Sequence, residues 1–226
     1  MIMEDLTVKK KKLLDKLERS SYIGNKLVRD AMENLPREQF LPDNVKSSAY
    51  EDMPLSIGRG QTISAPHMNG MYSSALELPD DRPIKILEIG TGSGYQAALC
   101  AEMMRLKNIE GHVYTIERIS ELADRASGVL HELGYDDIIT VITGDGTIGY
   151  SQEAPYDRIL VTAAAPRIPG ALIDQLAEGG IMLIPVGDMH GYQVLYKITK
   201  EEGEIKKKEI SGVAFVPLIG VEGFSD

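Results

Sequence analysis

The stretch EIGTGSGY (residues 88–95) follows the β-branched run IKIL and precedes the apolar sequence QAALCAEMMRL. Its three glycines, Gly90, Gly92 and Gly94, form a G-x-G-x-G pattern at a predicted strand-to-helix turn. The dinucleotide fingerprint needs G-x-G-x-x-G, whose third small residue lets the helix pack closely on the strand. Tyr95 occupies that position and is too large, so the pattern disfavours a nicotinamide or flavin dinucleotide.

Outward from this loop, short strand-like runs alternate with helical stretches. The predicted strands are IKILEI, HVYTIE, DIITVI and YDRILV (84–89, 112–117, 137–142 and 156–161), and helices are predicted between the first three. This alternation is typical of a parallel sheet with crossover helices. Gly134 is the predicted C-cap of the second helix. Beyond Pro166, a short helix and three late strands with hairpin-like links are expected.

The N-terminal part is predicted to be mainly helical. Apolar residues recur at helical spacing in two blocks within residues 7–35, and Asn25 is the predicted N-cap of the second block. Residues 36–61 carry several prolines and glycines and are expected to be irregular. A further helix is expected to begin near Ser64, with that serine as its cap and Pro66 in its first turn.

The predicted fold class is therefore α/β: a doubly wound, mostly parallel Rossmann-like sheet with an N-terminal helical cap and late antiparallel strands. We expect residues 1–226 to form one domain. Its parts are the helical cap with the segment around Ser64 (1–80), a cofactor-binding core (81–190) and C-terminal strands (191–226).

Charge and cysteine usage narrow the classes of function. The 226 residues include 34 acidic and 24 basic side chains, a net charge of −10, which argues against a nucleic-acid-binding surface. Cys100 is the single cysteine and is predicted to be a buried helix residue, so no intrachain disulfide forms. No apolar run suits a membrane span or a signal peptide, so we expect a cytoplasmic protein with no membrane partner. We also expect a monomer. The histidines and the cysteine lack metal-ligand spacing, so no metal is expected.

Three acidic residues mark the ends of successive predicted strands. Glu88 precedes the glycine loop, Glu117 ends the second strand, and Asp145 follows the third strand within GDG. The carboxyl ends of the strands in a doubly wound sheet line one crevice, so we expect these side chains in one pocket. Three carboxylates would repel a pyrophosphate, but they suit a ligand with ribose hydroxyls, an amine and a sulfonium. S-adenosylmethionine is such a ligand.

The segment QTISAPHMNG (61–70) places Ser64 and His67 three residues apart, which raises the idea of a nucleophile and its base. A hydrolase serine is expected on a G-x-S-x-G elbow, and SAPH does not provide one. The residues alone leave Ser64 two roles, as a helix cap or as a hydroxyl that acts on a substrate. A histidine on a helix face is more often simply packed or solvated.

The motifs EIGTGSGY, TIERI, GDGTIGY and YDRILVTAAAP together resemble those of class I S-adenosylmethionine-dependent methyltransferases. With SIGRGQTISAPHM upstream and ALIDQLAEGGIMLIPVG downstream, the chain resembles the protein-L-isoaspartate O-methyltransferase family over about residues 20–220. The core motifs are shared by many methyltransferases, whereas the segment around TISAPH is much more specific.

The resemblance implies a role for each matching residue. Ser64 matches the active-site serine, and the segment with Thr62, Ile63 and His67 is implied to lie against the cofactor. Glu117 is implied to contact the ribose of the cofactor, and Asp145 and Gly146 its adenine. The implied contacts with the methionine end of the cofactor come from Glu88, Gly90, Gly92, Ser93 and Gly94. The segments SIGRG and VAFVP are implied to frame a substrate peptide, with Ser56, Ile57 and Val213 as binding residues.

The family's implied reaction moves a methyl group from S-adenosylmethionine to the free α-carboxylate of L-isoaspartyl residues in damaged proteins, leaving S-adenosylhomocysteine. Direct in-line transfer suits this chemistry, because a carboxylate with a pKa near roughly 4 is already ionised at neutral pH. Two rivals stay open: a methyltransferase for a small molecule or RNA, and a non-catalytic S-adenosylmethionine-binding module.

Overall fold

The computed structural model describes residues 2–80, 82–189 and 191–225, with residues 2–5 described by their backbone alone. Two expectations fall partly outside these ranges: the boundaries of the cofactor-binding core at positions 81 and 190, and the part that His190 plays in the expectation of no metal.

The N-terminal region is helical with one small hairpin. Its elements are α1 (Ile2–Arg19), α2 (Lys26–Asn34), 3-10 helices at Arg37–Phe40 and Asp43–Ser48, β1 (Leu55–Gly58), β2 (Gln61–Ile63) and α3 (Pro66–Ala75). Helix α2 begins as predicted, because the Asn25 side chain accepts a hydrogen bond from the Val28 amide at 3.0 Å. The residues expected to be irregular instead form the two 3-10 helices and most of the antiparallel β1–β2 hairpin. Strands this short show almost no periodicity in the sequence.

The start of α3 differs from the prediction in one informative way. Pro66 does lie in the first turn, but the N-cap is Ala65 and not Ser64. One amide of the first turn, that of His67, instead donates a hydrogen bond to Oδ1 of Asp52 at 3.0 Å. The prediction that Ser64 caps the helix is therefore wrong, because a carboxylate from a preceding turn takes over that task.

The rest of the described chain forms a seven-stranded sheet with flanking helices. In chain order these elements are β3 (Ile84–Ile89), α4 (Tyr95–Lys107), β4 (Gly111–Glu117), α5 (Ser120–Glu132), β5 (Ile139–Thr143), a 3-10 helix (Gly146–Ile148), β6 (Tyr156–Val161), α6 (Gly170–Asp174), β7 (Leu176–Gly187), β8 (Gln193–Glu201) and β9 (Glu204–Val213). The strand order is β5-β4-β3-β6-β7-β8-β9. The first five of these strands pair in parallel, and the last two add antiparallel. The predicted mostly parallel sheet with late antiparallel strands is confirmed.

Strand β3 shows why the sheet carries helices on both faces. Ile84 and Ile86 belong to one buried apolar cluster, which includes residues of α1, α2 and α4. Leu87 and Ile89 belong to a second cluster, which includes Leu172 of α6. The strand order reverses between β3 and β6, and in such sheets ligands bind outside the carboxyl ends of the strands at this switch point.

The burial of Cys100 is confirmed: it lies within α4 with 1% of its surface exposed. The C-cap of α5 is Leu133, one residue before the predicted Gly134. Gly134 follows at a φ of 72°, and the amides of Gly134 and Tyr135 close the end of the helix on the carbonyls of His131 and Leu130. No helix of the described residues is long and apolar enough to cross a membrane.

Candidate active site

A cavity of about 780 Å³ lies at the carboxyl ends of β3, β4 and β6, which is the switch point of the sheet. We call it the cofactor cavity. Of the residues that the sequence assigned to the cofactor, it is lined by Thr62, Ile63, Glu88, Gly90, Gly92, Ser93, Glu117 and Gly146, together with Ser64. His67, Gly94 and Asp145 do not line it.

The glycine loop is shaped by contacts that leave little room for side chains. Gly90 has a φ of 95°, and a Cβ atom there would lie 2.5 Å from the Thr162 hydroxyl oxygen. That hydroxyl follows β6 and donates to the Gly90 carbonyl at 2.7 Å, so it joins the two strands of the switch point. Thr162 was not predicted as a site residue, although it lies directly after a predicted strand. Gly94 does not line the cofactor cavity but lies against Ala126 and Leu130, where it lets the glycine loop pack closely on α5.

Glu88 is a buried carboxylate with an unused acceptor. Its side chain is 1% exposed, and Oε2 accepts a hydrogen bond from the Thr115 hydroxyl at 2.5 Å. Oε1 is buried and has no hydrogen-bond partner among the described residues. Burial raises the pKa of Glu88 to about 8; the Thr115 hydrogen bond opposes this rise and the charge of Glu117 adds to it. Because Glu88 lines the cofactor cavity, a ligand's ammonium or N–H group could satisfy it.

Glu117 holds the glycine loop to the end of β4. Its Oε2 accepts from the Gly92 amide at 2.9 Å, and its Oε1 accepts from the Ile119 amide at 3.0 Å. An ionised carboxylate offers about four acceptor sites, so ribose hydroxyls could still bind. The side chain is therefore both a structural tie and a candidate ligand group.

Asp145 is placed differently from the expectation that it contacts the adenine. Its Oδ1 accepts from the Thr147 amide and hydroxyl at 2.8 and 2.7 Å, and its Oδ2 accepts from the Val221 amide at 2.8 Å. The carboxylate thus anchors the C-terminal segment, while Leu218 and Ile219 of that segment line the cofactor cavity. Gly146 does line it, packed so closely that a Cβ atom would lie 2.5 Å from a methyl carbon of Ile89.

A second cavity of about 1110 Å³ lies beside the first. We call it the acceptor cavity. It is lined mainly by apolar side chains, including Met68, Val213 and Phe215, and by His67. Ser64 and Thr162 line both cavities and also the small pocket between them. The serine that the sequence singled out therefore lies where the cavities meet.

The other assigned residues are dispersed. His67 lines the acceptor cavity and not the cofactor cavity, and its Nδ1 is 2.8 Å from the Asp52 carboxylate. Val213 lines the acceptor cavity, as its assigned role requires. Ser56 and Ile57 lie on β1 and line neither cavity. Ile57 is fully buried, with its terminal methyl against Gly92.

A doubly wound sheet with a glycine loop after its first parallel strand, and carboxylates at adjacent strand ends, defines a Rossmann-like methyltransferase fold. The chain belongs to the protein-L-isoaspartate(D-aspartate) O-methyltransferase family, whose model matches residues 8–223.

Similar proteins agree with this assignment. Curated proteins named protein-L-isoaspartate O-methyltransferase include one from Ignicoccus hospitalis, 55% identical over 95% of this chain and 99% of its own. Another, from Methanopyrus kandleri, is 51% identical over 96% of this chain and 94% of its own. A solved structure from Plasmodium falciparum, described as a protein-L-isoaspartate O-methyltransferase in complex with S-adenosyl-L-homocysteine, is 30% identical and has a TM-score of 0.78. The match covers 93% of this chain and 98% of that chain. A further solved structure named protein-L-isoaspartate O-methyltransferase is 27% identical and has a TM-score of 0.82, with 95% of this chain and 67% of that chain covered.

Proposed function

We propose that this chain transfers a methyl group from S-adenosylmethionine to the free α-carboxylate of L-isoaspartyl residues in damaged proteins. The observation that carries the proposal is the position of Ser64 at the junction of the cofactor and acceptor cavities. Family membership and the names of the relatives support the same reaction.

The cofactor cavity suits S-adenosylmethionine. The unpartnered Oε1 of Glu88 would accept from the ammonium group of its methionine end, and Glu117 would accept from ribose hydroxyls. Gly90, Gly92 and Ser93 would hold the same end through the glycine loop. When bound, the cofactor supplies a methyl group on a positively charged sulfonium, an electrophile that needs no further activation.

The acceptor brings its own nucleophile, so the protein needs no general base. A free carboxylate has a pKa near roughly 4 and is ionised at neutral pH. The Ser64 hydroxyl, which has no helix to cap, would donate a hydrogen bond to one carboxylate oxygen and direct the other toward the cofactor cavity. The backbone of the substrate peptide would be covered, and water excluded, by Met68, Val213 and Phe215. Positioning and desolvation of this kind are the contributions that direct transfer requires.

The finer expectations from the sequence belong to this proposal. We propose isoaspartyl peptides and proteins as the partners, a monomeric state, a cytoplasmic location and the single-domain organisation set out above. The acidic charge supports a protein partner over a nucleic acid, and the single, buried Cys100 supports the cytoplasmic location. Equilibrium sedimentation, which measures the molar mass in solution, tests the proposed monomeric state.

The decisive assay measures transfer of labelled methyl to an isoaspartyl peptide and to its normal aspartyl twin. We expect label on the isoaspartyl peptide alone, because only this isomer carries a free α-carboxylate within the chain. Equal labelling of both peptides would point to a different acceptor. Cofactor binding without labelling of either peptide would favour one of the two rival functions: a methyltransferase for a small molecule or RNA, or a non-catalytic S-adenosylmethionine-binding module.

A further inference from the structure

Arg37 is a buried cation that the reaction described above does not use. It begins the 3-10 helix after α2, and 1% of its surface is exposed. Its three hydrogen-bond acceptors are neutral: the Ala49 carbonyl at 2.9 Å from Nε, the Asn69 side-chain oxygen at 3.0 Å from Nη1, and the Ser64 carbonyl at 2.7 Å from Nη2. No carboxylate of the described residues forms a salt bridge with it. Burying a cation without an ionic partner is costly, so a benefit must offset that cost.

Three of the four residues that contact Arg37 line the proposed active site. Ser64, Asn69 and Tyr95 all line the cofactor cavity, and the guanidinium carbon lies 4.9 Å from the centre of the Tyr95 ring. The Asn69 amide also donates to Gln96, another lining residue, at 2.9 Å. One planar group therefore bonds or stacks with three parts of the wall at once, and a lysine cannot reproduce this geometry.

Ser64 depends on such an anchor because of its place in the chain. It lies in the two-residue connection between the end of β2 at Ile63 and the start of α3 at Pro66. It belongs to neither element and does not cap the helix. The hydrogen bond from Arg37 holds the Ser64 carbonyl, and Ser64 is a lining residue of both cavities.

We infer that Arg37 is a positioning residue for methyl transfer: by holding the Ser64 carbonyl, it fixes the Ser64 hydroxyl between the cofactor and acceptor cavities. The inference rests on the proposed function. A misplacement of about 1 Å in a reacting constellation can cost about 100-fold in rate. A loosened anchor that acts through one hydroxyl should cost somewhat less.

A double-mutant cycle tests the inference. Arg37→Lys is expected to lower kcat for an isoaspartyl peptide about tenfold in the Ser64 protein and less than about twofold in Ser64→Ala, with cofactor affinity nearly unchanged in both. Rates are taken per cofactor-binding molecule, so partial unfolding does not count as loss of rate. Equal losses in both backgrounds, or a loss of cofactor affinity matching the loss of rate, would overturn the positioning role.

Arg158 offers a matched control. It is 5% exposed and donates to the main-chain carbonyls of Leu76 and Glu77, and it lines neither cavity. Arg158→Lys should lower the melting temperature but leave the per-molecule rate unchanged; a tenfold loss of rate there would mean that any buried arginine has this effect.

A second perturbation keeps the test decisive if Arg37→Lys does not fold. Replacing the amide between Ser64 and Ala65 by an ester weakens the Ser64 carbonyl as an acceptor and leaves Arg37 in place. The same loss of rate, dependent on the Ser64 hydroxyl, is expected; a loss that persists in full without the hydroxyl would refute the inference. Failure of the proposed function is distinguishable, because the unaltered protein would then not methylate the peptide at all.

Discussion

Replacing Glu88 by glutamine removes a buried carboxyl group of the cofactor cavity whose pKa burial raises to about 8. Burial raises its pKa from 4.5 to about 8, so between these values the folded protein binds a proton that the unfolded chain releases. Stability from this group is therefore fully present below pH 4.5 and is lost as pH rises through about 8. Between about pH 6 and pH 8 the free energy of unfolding should fall by about 2 kcal/mol on account of Glu88 alone.

Urea denaturation of the cofactor-free protein at these two pH values measures the effect. We expect Glu88→Gln to lose about 2 kcal/mol less than the unaltered protein over this interval, because glutamine has no proton to exchange. Glu110→Gln is the control, since it makes the same chemical change at an exposed residue between α4 and β4. Identical pH dependence in Glu88→Gln and in the unaltered protein would show that Glu88 is ionised in the folded state, and the argument from its burial would fail.

Three further outcomes are expected. Glu117→Ala should weaken cofactor binding at least about tenfold, because hydrogen bonds to a charged group are lost; an unchanged dissociation constant by calorimetry would remove Glu117 from the site. Gly90→Ala should destabilise the protein by about 2 kcal/mol in urea denaturation, since its Cβ would meet Thr162, whereas Gly128→Ala in α5 has open space and should be harmless; equal effects would refute the close approach. Asn69 precedes a glycine but is buried in α3 with its amide in two hydrogen bonds, so peptide mapping should find isoaspartate there far more slowly in the native protein than in the unfolded chain, and equal rates would contradict this placement.

The sheet was predictable because its strands are buried on both faces. IKILEI and YDRILV are rich in large apolar residues, and their limits match β3 and β6 residue for residue. The carboxylates that end β3 and β4 followed from the same reasoning, and both line the cofactor cavity. Strand β5 begins two residues later than predicted, because the chain first makes a turn at Tyr135.

The contacts of three other residues follow from pairings between distant parts of the chain. Asp145 is in a typical position for a ligand, yet its carboxylate accepts a hydrogen bond from the amide of Val221, 76 residues further along the chain. Ser64 is a good helix cap by its local sequence, but Asp52 takes part of that task from outside the helix. Arg37 carried no motif, and its role becomes visible only when its three acceptors are seen together. Local patterns do not specify such pairings.

The most direct test of the account is a single-turnover measurement with labelled cofactor and an isoaspartyl peptide, comparing the unaltered protein with Ser64→Ala. Removing one hydrogen bond of the oxyanion-hole type costs about 10²–10³ in rate, and an acceptor that is already ionised should need less help. We predict that Ser64→Ala transfers the methyl about 10 to 100 times more slowly with unchanged cofactor affinity, and that label passes to the peptide without appearing on the protein. Label bound covalently to Ser64 and then chased to the peptide, or a full rate in Ser64→Ala, would contradict the account.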